Sequence, residues 1–116
     1  MDTTKEVAPK NHSLRITEHA IQNLDNITGY IAYIMHEPLS AIRVGDEIVR
    51  TFDRIEKNPL AFRECEEIPT ANKIYRKANC LGWLIIYKIK LTEIVILGII
   101  HGHRRPSKIK RLRKVK

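Results

Sequence analysis

The chain has 116 residues, 43% of them hydrophobic, which is enough for one compact domain and leaves no room for a second. Its formal net charge of +8 comes wholly from the end: residues 1–100 hold 13 basic and 13 acidic side chains, whereas the last 16 residues carry eight Lys and Arg and no acid. The longest apolar run, Ile94 to Ile100, is far shorter than the roughly 20 residues of a membrane span. Two cysteines, Cys65 and Cys80, have neither the spacing of a zinc site nor the number of a disulfide framework, so no metal or cofactor is expected.

Residues 1–12 are polar, lack any hydrophobic period and contain Pro9, and they read as a flexible leader. They hold no apolar signal core, so a cytoplasmic location without membrane attachment is the expectation. Ser13 to Ile16 alternates as a half-buried strand does. Thr17 is a natural N-cap, and Glu18 in the following turn suits the helix dipole. Ile21, Leu24, Ile27, Ile31 and Ile34 recur at spacings of three and four, predicting one helix to about Met35.

Pro38 suits the first turn of a second helix, which Asn58 and Pro59 end. Its apolar stripe comprises Ala41, Ile42, Gly45, Ile48, Val49, Phe52 and Ile55, with Gly45 expected to let the two helices approach closely. The short His36–Glu37 link implies an antiparallel helical hairpin. Residues 60–73, with Glu64, Glu66, Glu67 and Pro69, read as irregular.

Three strand-like runs follow: Ile74 to Asn79, Trp83 to Ile89 and Glu93 to Ile100. Their tight connections at Leu81–Gly82 and Leu91–Thr92 predict an antiparallel meander. The middle run places Trp83, Ile85 and Tyr87 on one face and Leu84 and Ile86 on the other, so both faces need a cover. Trp83, Leu84 and Ile86 are therefore candidates for a partner-binding patch. His101 and His103 flank Gly102, a residue able to form a bulge that turns only one imidazole toward a site.

The basic end, Arg104, Arg105, Lys108, Lys110, Arg111, Arg113, Lys114 and Lys116, attracts polyanions by releasing their counterions. It reads as a tail over 106–116 that either contacts phosphates or simply stays solvated. Lys77, Arg105, Lys108, Lys110, Arg111 and Arg113 are the candidate nucleic-acid contacts.

The order of strand, helical hairpin and meander, with Ile16-Thr17-Glu18-His19-Ala20, Ile31-Ala32-Tyr33-Ile34, Asn58-Pro59, Tyr75-Arg76-Lys77, Trp83-Leu84-Ile85-Ile86-Tyr87 and the run from Val95 to Arg105, resembles the RelE/ParE toxin superfamily over residues 13–105. The resemblance implies an α+β domain, two helices packed on a C-terminal antiparallel sheet. It also implies the toxin of a type II toxin–antitoxin pair, with a cognate antitoxin as partner. RelE-type relatives cleave mRNA on the ribosome, which makes ribosome and mRNA the leading expected partners. ParE-type relatives inhibit DNA gyrase without chemistry, and a small basic nucleic-acid-binding protein without toxicity is the third reading.

RNA cleavage needs a base for the 2′-hydroxyl, an acid for the leaving oxygen and cations at the phosphate. Arg76, His101, His103 and Arg104 are the candidates, histidine ordinarily titrating near pH 6.5. Two departures weigh against this chemistry. The middle-strand arginine of RelE-type nucleases aligns with Leu84, and their late catalytic tyrosine has no counterpart in the tail.

Overall fold

The computed structural model describes residues 13–116, so the leader expected over 1–12 lies outside the described residues. Five strands, β1 (Ser13–Ile16), β2 (Arg63–Glu64), β3 (Tyr75–Cys80), β4 (Trp83–Ile89) and β5 (Glu93–His101), form one sheet in the order β1-β5-β4-β3-β2. The meander β3-β4-β5 is antiparallel as the connections predict, and β1 lies parallel to β5, Ser13 opposite Glu93 and Ile16 opposite Ile96. β2 occupies part of the stretch read as irregular. A strand of two residues leaves no periodic trace in a sequence.

One face of the sheet carries the helical hairpin of α1 (Glu18–Gly29) and α2 (Pro38–Lys57). Thr17 caps α1, its Oγ1 accepting from the Ala20 amide at 3.1 Å and donating to the Ile96 carbonyl at 2.9 Å. One side chain thus satisfies an orphan helix amide and ties α1 to β5. Asn23 adds a second tie, its Oδ1 accepting from the Ile99 amide at 2.9 Å. Ile27, Ile48, Phe52 and Ile55 pack here on Ile85, Tyr87, Ile94, Ile96 and Ile99.

The helical period persists past Gly29, but Tyr30–Ile34 widen into a single π turn before His36, at φ 57°, reverses the chain. Gly45 faces Thr28, yet a Cβ built on it would lie 3.5 Å from the Thr28 methyl, an ordinary contact. The interhelical approach therefore does not require glycine, contrary to the sequence expectation. Gly45→Ala is expected to raise stability by about 0.5–1 kcal/mol through helix propensity, read as an upward shift of the urea midpoint.

The other face of the sheet is closed by the chain's own end. Pro106–Arg111 form α3 and Leu112–Lys114 a 3-10 turn, with Ile109 and Leu112 buried against Leu84, Ile86, Val95 and Leu97. The basic segment is thus a docked element, and charge counting failed to show this because its two apolar residues are outnumbered by cations. Arg15 secures the far end, pairing with Glu93 at 3.2 Å and donating to the Lys116 carbonyl at 2.8 Å.

Candidate functional site

The turns at one end of the sheet gather the most chemistry. Leu81 (φ 52°) and Gly82 (φ 85°) make the two-residue turn between β3 and β4, with the paired positive φ values that suit the twist of a hairpin. Gly102 packs against it, its amide donating to the Gly82 carbonyl at 2.9 Å. A Cβ on Gly102 would lie 2.9 Å from that same oxygen, so close approach explains this glycine. The bulge expected here lies elsewhere: Ile86 pairs with Gly98 and Tyr87 with Ile96, which leaves Leu97 as the extra residue of β5.

β5 ends at His101, and residues 101–104 turn, the Arg104 amide donating to the His101 carbonyl at 3.0 Å. His101 stands edge-on to Trp83 with ring centroids 5.2 Å apart, and His103 lies 5.3 Å from His101. The His103 amide donates to His101 Nδ1 at 3.3 Å. His101, Arg104, Lys108 and Trp83 form one wall of a groove of about 690 Å³. The opposite wall comes from α1, the π turn and the start of α2, including Asn23, Tyr30, Met35, Glu37 and Val44.

The other predicted residues do not join this group. Arg76 opposes Tyr87 on the neighbouring strand, whereas the row containing His101 runs through Trp83 and Cys80. Four positions at about 3.3 Å each separate those rows along the strands, and two further strand spacings of nearly 5 Å lie across them. The Arg76 guanidinium is occupied locally, donating to the carbonyls of Lys73 at 2.8 Å, Phe62 at 2.9 Å and Leu60 at 3.5 Å. It braces the loop before β2. Arg76 and Arg104 therefore do not face one phosphate.

Lys77, named as a nucleic-acid contact, is 6% exposed and lies on the α3 face, pairing with Glu67 at 3.0 Å and Glu66 at 3.7 Å. Burial would raise the Glu67 carboxyl, but the Lys77 hydrogen bonds and charge outweigh it and hold the group below its ordinary value of 4.5. Because the folded pKa is the lower one, the pair's stabilisation is complete above the unfolded value and is lost as pH falls through the folded one. Glu67→Gln is therefore expected to cost about 2–4 kcal/mol at neutral pH and to flatten the loss of stability below about pH 4.5, as urea titrations at each pH would read. An unchanged acid limb would sink the pairing. Cys65, whose thiol contacts Glu67 at 3.6 Å, is pushed up to about 11 by burial and then by the Glu67 charge, which makes it unreactive.

Tyr87 is fully buried, its hydroxyl donating to the Pro59 carbonyl, and burial pushes its pKa upward. It is a core residue and offers no proton acceptor to a substrate. Of the partner-binding candidates, Leu84 and Ile86 lie under α3 and only Trp83 reaches the groove. No three His, Cys, Asp or Glu side chains gather as a metal site among the described residues. No helix among them is long and apolar enough to cross a membrane.

The apolar surface open to a partner is instead on the helical hairpin: Tyr30, Tyr33, Ile34, Met35, Leu39 and Ile42 are all exposed, Tyr33 at 78% and Leu39 at 75%. The signal was present in the sequence. Tyr30 to Met35 is a nearly continuous apolar run, wider than one buried stripe can use, and the π turn spreads it outward.

No curated protein matches the chain significantly. Among solved structures, the fold matches a chain of the chromosomal ParDE toxin–antitoxin system from P. aeruginosa with a TM-score of 0.62 and 22% identity. That match covers 79% of this chain and 97% of the other. The family model for the ParE toxin of the type II toxin–antitoxin system parDE matches residues 14–106, from the first strand to the start of α3. A family-model match over that span, on a fold similar to that solved chain, places this chain in the ParE toxin family of type II toxin–antitoxin systems.

Proposed function

We propose that this toxin arrests growth by binding DNA gyrase, without cutting RNA, and that its antitoxin neutralises it by covering the groove and the exposed hairpin. The observation that carries the reading is the dispersal of the nuclease set. Arg76 is bonded to loop carbonyls well away from His101, His103 and Arg104, and Leu84 stands buried where RelE-type nucleases carry a phosphate-binding arginine. Removing one such cation typically costs a factor of 100 to 1000, roughly 3–4 kcal/mol of transition-state stabilisation. With one cation replaced by Leu84 and another, Arg76, committed to loop carbonyls, little is left for a ribonuclease to work with.

A binding inhibitor needs only surface. The hairpin offers exposed aromatic and aliphatic side chains, the groups that anchor protein interfaces, and the groove adds Trp83 with a cationic rim. The purified full-length toxin added to gyrase and relaxed plasmid is expected to block supercoiling, and added antitoxin to restore it. Unimpaired supercoiling together with mRNA ends at ribosomal A sites would overturn the proposal in favour of cleavage by His101, His103 and Arg104.

A further inference from the structure

We propose that the outward face of α3 is a fixed contact surface for the phosphate backbone of nucleic acid. Arg104, Arg105, Lys108, Lys110, Arg111, Arg113 and Lys114 are all exposed, and none pairs with an acid among the described residues. Elsewhere in the described chain basic and acidic residues are balanced, so its net positive charge resides in these last residues. Phosphates that displace counterions are its natural complement.

The docking of α3 changes what this charge can do. Ile109 and Leu112 are each 3% exposed and point into the sheet, which turns Lys110, Arg111 and Lys114 outward together. A free tail would lose chain entropy on binding, whereas here the backbone is ordered before contact. The same burial argues against other polyanions. An amphipathic helix on an anionic membrane inserts an apolar face, and the apolar side chains of α3 are already spent on the core. An acidic protein partner would need buried apolar anchors, and this face presents none. The inference does not depend on gyrase being the target.

Duplex DNA and single-stranded RNA share this phosphate chemistry and form separate arms of the test. The full-length chain is titrated with labelled mixed-sequence duplex, with RNA of equal length and with phosphatidylserine vesicles, over about 50 to 200 mM salt. The expected result is nucleic-acid binding without sequence preference, with a log–log salt slope of about −4 or steeper on duplex. The variant K110A/R111A/K114A keeps Ile109 and Leu112 and is expected to flatten the slope by about 3, roughly 0.9 per lost phosphate contact. Stronger binding to duplex or to RNA identifies which nucleic acid the face fits. An unchanged slope in a variant with wild-type circular dichroism, or binding to vesicles alone, would overturn the proposal.

Discussion

Deleting residues 106–116 is expected to unfold the chain, although by composition this is its most dispensable-looking stretch. The deletion removes Ile109 and Leu112 and uncovers Leu84, Ile86, Val95 and Leu97 on the second face of the sheet. Truncating one buried leucine to alanine costs about 2–5 kcal/mol, so Leu112→Ala alone should take a large share of the 5–15 kcal/mol typical of a domain. Gly98 sharpens the fit, since a Cβ there would lie only 2.8 Å from a Leu112 methyl. By contrast, replacing the exposed Lys110, Arg111 and Lys114 with alanine should alter stability by less than about 0.5 kcal/mol each. Urea unfolding monitored through Trp83 separates the cases. A truncated chain that unfolds at the full-length midpoint would show that α3 does not support the sheet.

The second large effect separates Arg76 from Arg104. Arg76→Ala leaves the Phe62 carbonyl without its partly buried donor and frees the loop before β2, at an expected cost of about 1.5–3 kcal/mol. Toxicity should fall because less protein is folded, and should return when cells are grown at lower temperature. Arg104 is exposed at the groove and makes no ion pair among the described residues, so Arg104→Ala should melt like the parent. Any toxicity it loses at every temperature therefore reports a contact with the target. Paired thermal melts and growth assays at two temperatures check both. Full stability in Arg76→Ala combined with lost toxicity at both temperatures would return Arg76 to a functional role.

These contrasts also show what the residue pattern could reveal. The helical hairpin, the meander and both faces of β4 were legible because each rests on a period of 3.6 or 2 in apolar residues, with Pro38, Asn58, Gly82 and Thr92 near the breaks. Legibility ended where spacing along the chain and proximity in space part company. Arg76 and His101 both belong to the meander, yet antiparallel pairing places Arg76 beside Tyr87 and His101 beside Trp83, and only the register separates them. Lys77 looked like a phosphate ligand because its partners Glu66 and Glu67 lie in a stretch without periodicity. α3 was hidden by its length, since Ile109 and Leu112 make too short a stripe to register against eight cations.

A toxin that binds gyrase stops DNA synthesis first, and one that cuts mRNA stops translation first. Inducing the intact toxin without antitoxin and pulse-labelling DNA and protein synthesis in the same culture separates the two. On the proposed gyrase mechanism DNA synthesis stops first, with broken chromosomes and an SOS response, while translation continues through the early pulses. Immediate arrest of translation, with mRNA ends mapping to ribosomal A sites and DNA left intact, would contradict it.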